Sequence, residues 1–478
     1  MNDLFSELDE IFHSTSVAIY GVSRKGGLGN ILLQGFIDQE FPKIYIINPK
    51  ITDPNVEIMG ISVFSDLKSI GEPVDIVICS THPKYVRDIV IESGENNVKI
   101  VIIFSAGFGE KDEEGKKAEN ELLEIARKYH MRLLGPNCMG FYCPDSGLSF
   151  FPALPKESGP LGFISQSGSI ANLMAFSSML KGIHFSKAIS FGNGIDLNFN
   201  DFLEYLGADP KTKLIACYME GLDDGKRFIE LVKKNEKPII IWKVGLTQAG
   251  SRAAQSHTGS LCGDNKLWNT IFDQYGVIRV YNLEEMISMI QAFTNPMPVN
   301  DCRVAILSGP GGPAVSSADA CAINNLKLAD LTIESKRKLE DVIPEFGSSI
   351  SNPIDLSLQV QFDPRLEKNA YEIVGMDPNV DMMFIYLSML NPQYKELIKL
   401  QEKISKPIVL VSAIDVNVSA DSFSKVIKRS FIHLRAKKIP QIIQDLNKNG
   451  ISVHPNENLA AKALYNIYQY YEKSKIQR

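Results

Sequence analysis

Cysteine is sparse in this chain, with seven in 478 residues, scattered, and no two of them form a CxxC pair. Zinc ribbons and redox dithiols therefore find no support, and a long chain with few cysteines reads as reduced and cytoplasmic. No apolar run reaches the ~18 residues that suggest a membrane helix. The first ten residues hold four acidic side chains and no basic one, the wrong charge for a secretory signal. Basic residues make one run, Lys425 to Lys438, interleaved with apolar positions, and it reads as a solvated helix face. With a formal net charge of -6, the sequence predicts no nucleic-acid or anionic-membrane partner. A GxGxxG dinucleotide fingerprint is also missing.

What remains is ordinary globular material, 44% hydrophobic and 22% charged. At ~100–200 residues per domain, the length predicts about three domains. Residues 16–22 read as a buried strand. A loop with Gly26, Gly27 and Gly29 follows, and then an amphipathic helix from near Asn30. This layout turns helix N–H groups toward a phosphate. The second strand, Lys43 to Ile47, ends in Asn48-Pro49-Lys50 and not in the acid that holds an adenosine ribose. A nicotinamide dehydrogenase is disfavoured for that reason, whereas Lys25 and Lys50 suit a polyphosphate ligand.

Further strand–helix units run to Ser105-Ala-Gly107-Phe-Gly-Glu110 and Leu134-Gly-Pro-Asn137-Cys-Met-Gly140. The alternation predicts an α/β fold with parallel doubly wound sheets. Linkers are expected at Phe151–Pro160 and Phe293–Asn300, giving domains over 1–150, 151–297 and 298–478. The second domain opens with a strand and then Ser165-Gln166-Ser167-Gly168-Ser169, an anion cradle or a plain N-cap. The third opens alike, with Gly309-Pro-Gly311-Gly312 after its strand.

The third domain echoes the second. Asn193-Gly-Ile-Asp196 returns as Asn352-Pro-Ile-Asp355, and Lys237-Pro returns as Lys406-Pro. Asp196 and Asp355 read as a shared structural cap. Glu220 has Ser388 as its counterpart, and the loop around His257 has Ala413-Ile-Asp-Val-Asn. Only the first copy carries an imidazole, in Gln255-Ser-His257-Thr-Gly-Ser-Leu261 between Gly250 and Gly263. An imidazole is a good nucleophile at neutral pH.

These motifs, in this order, resemble the alpha subunits of NDP-forming acyl-CoA synthetases, a group that includes ADP-forming acetyl-CoA synthetase and is related to succinyl-CoA synthetase. The resemblance runs from about Ser16 to Leu464. It implies a Rossmann-like CoA-binding domain followed by two flavodoxin-like ligase domains. The implied reaction is acyl-CoA + phosphate + ADP giving acid + CoA + ATP, reversibly. His257 matches the phosphorylated histidine, and Glu220 matches the acid that orients it. Ser165, Gln166, Ser167, Gly168 and Ser169, with Gly309, Gly311 and Gly312, match helix starts that hold the phosphoryl group. Gly21, Ser23, Lys25, Asn48, Pro49 and Lys50 fall where the family contacts CoA, as do Ser80, Ser105, Gly107 and Asn137. No metal ligand is expected in this chain. ADP or ATP and Mg²⁺ are expected only through an ATP-grasp beta subunit, in an alpha2beta2 assembly. A non-catalytic CoA-binding regulatory module is the alternative, although such a module would be expected to lose His257 or Glu220.

Overall fold

The computed structural model describes residues 3–51, 53, 55–252, 264–309, 311–357, 363–387, 394–412 and 439–477. His257 and its loop lie outside the described residues, as do Pro310, Ser388, Ala413 and the Lys425–Lys438 run.

The first sheet holds β1 (Ser16–Tyr20), β2 (Lys43–Ile47), β3 (Glu57–Ile58), β4 (Ile61–Phe64), β5 (Ile76–Cys79), β6 (Ile100–Ile103) and β7 (Arg132–Leu134). Its order is β3-β4-β2-β1-β5-β6-β7. From β4 onward every pairing is parallel, in the Rossmann order 3-2-1-4-5-6, and β3 adds an antiparallel edge. β1, β5 and β6 are buried along their whole length, as aliphatic runs covered on both faces must be. Four helices belong to this part: α1 (Asp3–Phe12), α2 (Leu28–Asp38), α3 (Val86–Glu95) and α4 (Glu113–Lys128). Asp112 caps α4 through the Gly115 N–H at 2.8 Å. Acids fill the first turn of α4 and bases the last, matching the helix dipole.

The second sheet holds β8 (Gly140–Tyr142), β9 (Leu161–Ser165), β10 (Phe185–Ser190), β11 (Leu214–Met219), β12 (Ile239–Lys243) and β13 (Ile278–Val280). With it come α5 (Gly168–Leu180), α6 (Phe199–Ala208), α7 (Gly225–Lys234) and α8 (Asn265–Tyr275). The order is β13-β12-β11-β9-β10-β8, with β8 antiparallel to β10.

The two sheets exchange edges. β8 precedes the Phe151–Pro160 segment yet pairs with β10, Tyr142 opposite Ala188 and Gly140 opposite Ser190. In return, the N–H groups of Asn193, Ile195 and Leu197 donate to the carbonyls of Pro136, Gly135 and Leu133 at 2.9, 3.2 and 3.4 Å. One apolar core joins them, with Phe12 of α1 against Phe141 and Tyr205. Residues 1–179 and 184–281 accordingly form one compact unit.

The second unit is residues 180–183 and 282–478. It contains α9 (Leu283–Phe293), β14 (Arg303–Ser308), α10 (Gly311–Ile323), β15 (Lys327–Leu328), α11 (Ile333–Glu340), β16 (Ile354–Asp355) and α12 (Pro364–Met376). There follow β17 (Met382–Leu387), α13 (Tyr394–Ile404), β18 (Ile408–Ser412), α14 (Ile439–Lys448), β19 (Ser452–His454) and α15 (Glu457–Gln477). The border falls before α9, ahead of the Pro296/Pro298 segment. α9 packs on β19 and α15, and Lys462 pairs with Glu285 at 2.9 Å.

The repeat is visible in the topology. β10-β9-β11-β12-β13 and β15-β14-β17-β18-β19 are the same flavodoxin-like order, 2-1-3-4-5. Even the capping lysines recur. Lys237 Nζ donates to the carbonyls of Leu206 and Asp209, and Lys406 Nζ donates to those of Gly375 and Asp377. Burial pushes both amines down, Lys237 to about 8. The copies part at the Asn-x-Ile-Asp motif. In the second copy it forms β16 on β14, while in the first it reaches across to the first sheet.

Candidate functional site

The carboxyl ends of β1 and β5 flank the point where the strand order reverses, the usual ligand position in such sheets. Gly21 sits there at φ +98°, and a Cβ on it would stand 1.9 Å from the Ser80 carbonyl oxygen. Gly29 at the start of α2 has the same constraint, with the Gly21 oxygen 2.6 Å from its would-be Cβ. Ser23 closes the loop between them. Its hydroxyl donates to the Gly26 carbonyl at 2.9 Å, and Asn30 bonds both its N–H and its carbonyl. Asn48 orders the neighbouring corner by donating to the Val22 carbonyl and accepting from the Lys50 N–H. Pro49, Lys50 and Lys25 are exposed. The Ser23, Asn30 and Asn48 side chains thus order the turns at this end of the sheet, and those turns also carry the exposed Lys25 and Lys50.

A cavity of about 550 Å³ continues from there. Ser80, Ser105 and Asn137 line it together with Gln166, Ser167, Gly168 and Ser169. Seven of the residues singled out in the sequence therefore share one space, four of them from the α5 cradle. Asn137, at φ +58°, donates its N–H to the Ser105 carbonyl at 3.1 Å. Ser105 in turn donates its hydroxyl to the Thr81 carbonyl at 2.5 Å. Gly107 stands apart, because its N–H is already taken by Glu110 Oε1 at 2.5 Å.

In the cradle the serines divide their tasks. Ser165 is buried, and its hydroxyl shapes the turn, donating to the Ser167 carbonyl and accepting from the Ser167 N–H. Ser167 and Ser169 hydroxyls lie 3.0 Å apart at the start of α5. Gly168 leaves room for Met139, whose Cγ would be 2.7 Å from a Cβ there. Gln166 Oε1 accepts from the N–H groups of Glu220 and Gly221 at 2.5 and 3.0 Å, so the cradle and Glu220 are built as one piece.

Glu220 is 5% exposed at the end of β11. The Tyr218 hydroxyl bonds its carboxylate, and burial with that carboxylate beside it pushes the phenol up. Lys243, 2% exposed, donates to the carbonyls of Glu220 and Val244, both at 2.6 Å. Sequence reading passed over Lys243, although a lysine closing an apolar strand is itself a signal of a buried cation.

Asp196 is not a cap. Its carboxylate takes Arg132 through both oxygens, at 2.8 and 3.0 Å, and the Leu133 N–H at 2.9 Å, tying the two sheets together. Asp355 does serve its own turn, accepting the Ser357 N–H at 2.8 Å. Its other oxygen lies 2.8 Å from where a Cβ of Gly311 would stand, at the head of α10. Gly309, Gly311 and Gly312 thus sit in the second unit, after β14 as the spacing predicts.

Residues 15–144 match the family model of a CoA binding domain, and residues 158–293 match that of a succinyl-CoA ligase like flavodoxin domain. Fold and matches together define a CoA-binding, succinyl-CoA-ligase-like protein. The chain is 38% identical over 379 residues to the alpha subunit of ADP-forming acetate–CoA ligase II of Pyrococcus furiosus, covering 79% of this chain and 81% of the relative. To the alpha subunit of ligase I of the same organism it is 33% identical over 474 residues, 97% of each. A crystal structure from Pyrococcus horikoshii OT3 superposes with a TM-score of 0.79 at 29% identity, covering 98% of this chain and 99% of that one. A dinucleotide forming acetyl-coenzyme A synthetase 1 of Ca. Korarchaeum cryptofilum, solved with phosphate and ADP, gives 0.82 at 26% identity, covering 99% and 98%. The chain belongs to the family of alpha subunits of ADP-forming acetate–CoA ligases.

Proposed function

We propose that this chain carries the acyl-transfer and phosphohistidine half of an ADP-forming acyl-CoA ligase. The observation that supports it most is the shared cavity. It joins the CoA-side residues Ser80, Ser105 and Asn137 to the helix start at Gln166–Ser169 and, through Gln166, to Glu220. CoA lies along Gly21, Ser23 and the Asn48–Lys50 corner, with Lys25 and Lys50 meeting its phosphates. Its thioester end enters the cavity.

An oxygen of inorganic phosphate, held at Ser167–Ser169, attacks the thioester carbonyl. The C–S bond breaks, CoA leaves as the thiolate, and an acyl phosphate forms. An imidazole nitrogen of His257 then attacks phosphorus, and the acid leaves as its carboxylate. The moving phosphoryl group spreads charge over three oxygens. A helix N-terminus offers about half a positive charge and N–H donors without a titrating group. Glu220 fixes the imidazole tautomer and stabilises its cationic form. The Gly309–Gly312 helix start provides a second anion cradle. The His257 loop carries the phosphoryl group to ADP and Mg²⁺ on an ATP-grasp beta subunit, in an alpha2beta2 assembly in the cytoplasm. In this reading the CoA-binding part ends near residue 150 and the last domain begins near 282, ahead of α9.

Incubation of the chain with acyl-CoA and inorganic phosphate, followed by mass spectrometry of the peptide that holds His257, tests it. A gain of one phosphoryl group on that ring is expected. CoA bound without any adduct would overturn the reading.

A further inference from the structure

Asn193 follows β10 through the Phe191–Gly192 turn and, with Gly192, lines the cavity. Its backbone N–H donates to the Pro136 carbonyl at 2.9 Å, and a Cβ on Gly192 would stand 2.2 Å from that same oxygen. The contact fixes Asn193 against the first sheet's side of the unit. Its side-chain Nδ2 donates to Glu110 Oε2 at 2.6 Å and to Glu119 Oε1 at 2.7 Å. A carboxylate only accepts, so two of them decide which end of the amide carries the hydrogens. Asn193 Oδ1 is then buried without a hydrogen-bond partner among the described residues. An acceptor left unmet costs stability, so the amide's value lies in what Nδ2 does.

Glu119 is 1% exposed and also meets Lys116 Nζ at 3.0 Å. Gly109 has no room for a side chain beside it, since Glu119 Oε2 is 2.3 Å from its would-be Cβ. Glu110 Oε1 accepts the N–H groups of Gly107 and Phe108, at 2.5 and 3.2 Å. Burial pushes the Glu110 carboxyl up. The Gly107 N–H and the Asn193 amide outweigh burial and hold it below the ordinary carboxylate range. Gly107, at φ +104°, continues directly from Ser105 and Ala106, which line the cavity. A continuous path of hydrogen bonds therefore runs from Asn193 through Glu110 to the Gly107–Phe108 turn, and the backbone carries it on to the cavity wall.

We propose that Asn193 is a positioning residue for the acyl-CoA half of the reaction, holding the Ser105–Phe108 wall in register with the Gln166–Ser169 cradle through Glu110. This rests on the reading that the cavity takes the thioester end of acyl-CoA. Without the amide, Glu110 and Glu119 face each other with no shared donor, and like charges separate. The wall moves with Glu110, and the thioester carbonyl loses its alignment with the phosphate oxygen. A displacement of ~1 Å at a reacting centre costs on the order of 100-fold in rate. Phosphoryl transfer between nucleotide and His257 makes no use of this wall.

The test uses the chain assembled with its nucleotide-binding partner subunit. Asn193→Ala is expected to slow labelling of His257 from acyl-CoA and phosphate on the order of 100-fold, with a smaller change in KM for acyl-CoA. Labelling of His257 from ATP should stay within about twofold of the parent, because that transfer bypasses the wall. Adding Glu119→Gln to Asn193→Ala removes one charge and supplies a new donor to Glu110, so it should recover most of the acyl-CoA-dependent labelling rate. Asn193→Ser, whose hydroxyl can serve one carboxylate, should fall between parent and Asn193→Ala, and gives the same reading if the alanine variant does not fold. A parent protein that never labels would sink the functional reading itself. A parent that labels, beside an Asn193→Ala variant that labels from acyl-CoA and phosphate at the parent rate, would overturn this inference alone. Equal losses in both half-reactions, unrelieved by Glu119→Gln, would also overturn it.

Discussion

Gln166 and Glu220, 54 residues apart in sequence, are joined by the Gln166 side-chain oxygen, which receives the Glu220 N–H at 2.5 Å and the Gly221 N–H at 3.0 Å. A glutamine at the head of a helix thereby sets the height of an acid at the end of a different strand. Gln166→Leu keeps the bulk and leaves two part-buried N–H groups unmet, which costs about 1–3 kcal/mol each when no water replaces the partner. Lower stability to denaturant and slower phosphoryl labelling are both expected. Gln166→Glu keeps the acceptor and should restore stability. Parent-like labelling in Gln166→Leu would remove Gln166 from the positioning of Glu220.

Glu220→Gln keeps the shape of the side chain and loses the charge. By analogy with acids that orient a catalytic histidine, labelling of His257 should slow ~10²–10⁴-fold, with CoA binding unchanged. Rapid-quench labelling with radioactive phosphate and equilibrium CoA titration would measure the two. A variant that labels at the parent rate would show that Glu220 has another task.

Gly21→Ala places a methyl group where the Ser80 carbonyl already lies, at a φ of +98° that L residues avoid. Both ends of the β1/β5 junction would have to part. We expect a loss of about 3 kcal/mol or more in stability and no measurable CoA binding. Thermal unfolding and CoA titration check both, and intact CoA affinity would remove this junction from the CoA site.

His454 is 1% exposed in β19, with its ring between the hydroxyls of Ser288 and Ser452. Burial, helped by Lys181, pushes it down to about 3 from an ordinary 6.5. The unfolded chain therefore binds a proton that the folded chain refuses between those values. Stability is complete above about pH 6.5 and is lost as pH falls toward 3, at up to about 1.4 kcal/mol per unit. His454→Asn should flatten that part of a stability-against-pH curve. An unchanged slope would show that other groups drive the acid lability.

The sequence carried the sheets and the repeat plainly, because Val- and Ile-rich strands and turn motifs are local signals. The recurrence of Lys237 as Lys406, each sealing the end of a helix, is an example. The cradle at Ser165–Ser169 was legible for the same reason. Asn193 was not, since its partners Glu110 and Glu119 stand 83 and 74 residues away and only the packed sheets bring them near. Asp196 looked like a turn residue because its partner, Arg132, lies in another sheet. The Pro-rich segment at 293–300 suggested a border, while the contacts of α9 put it before Asn282.

The exchange of edge segments between the first two sheets has a consequence for taking the molecule apart. A fragment ending at residue 150 would carry β8 away from β10 and strip the first sheet of the strip between Asn193 and Leu197. Each piece would expose an unsatisfied strand rim, the kind of surface that recruits other chains into aggregates. The first and second sheets thus should not come apart as separately folded pieces when the gene is split at that point. The pair should melt as a single cooperative block.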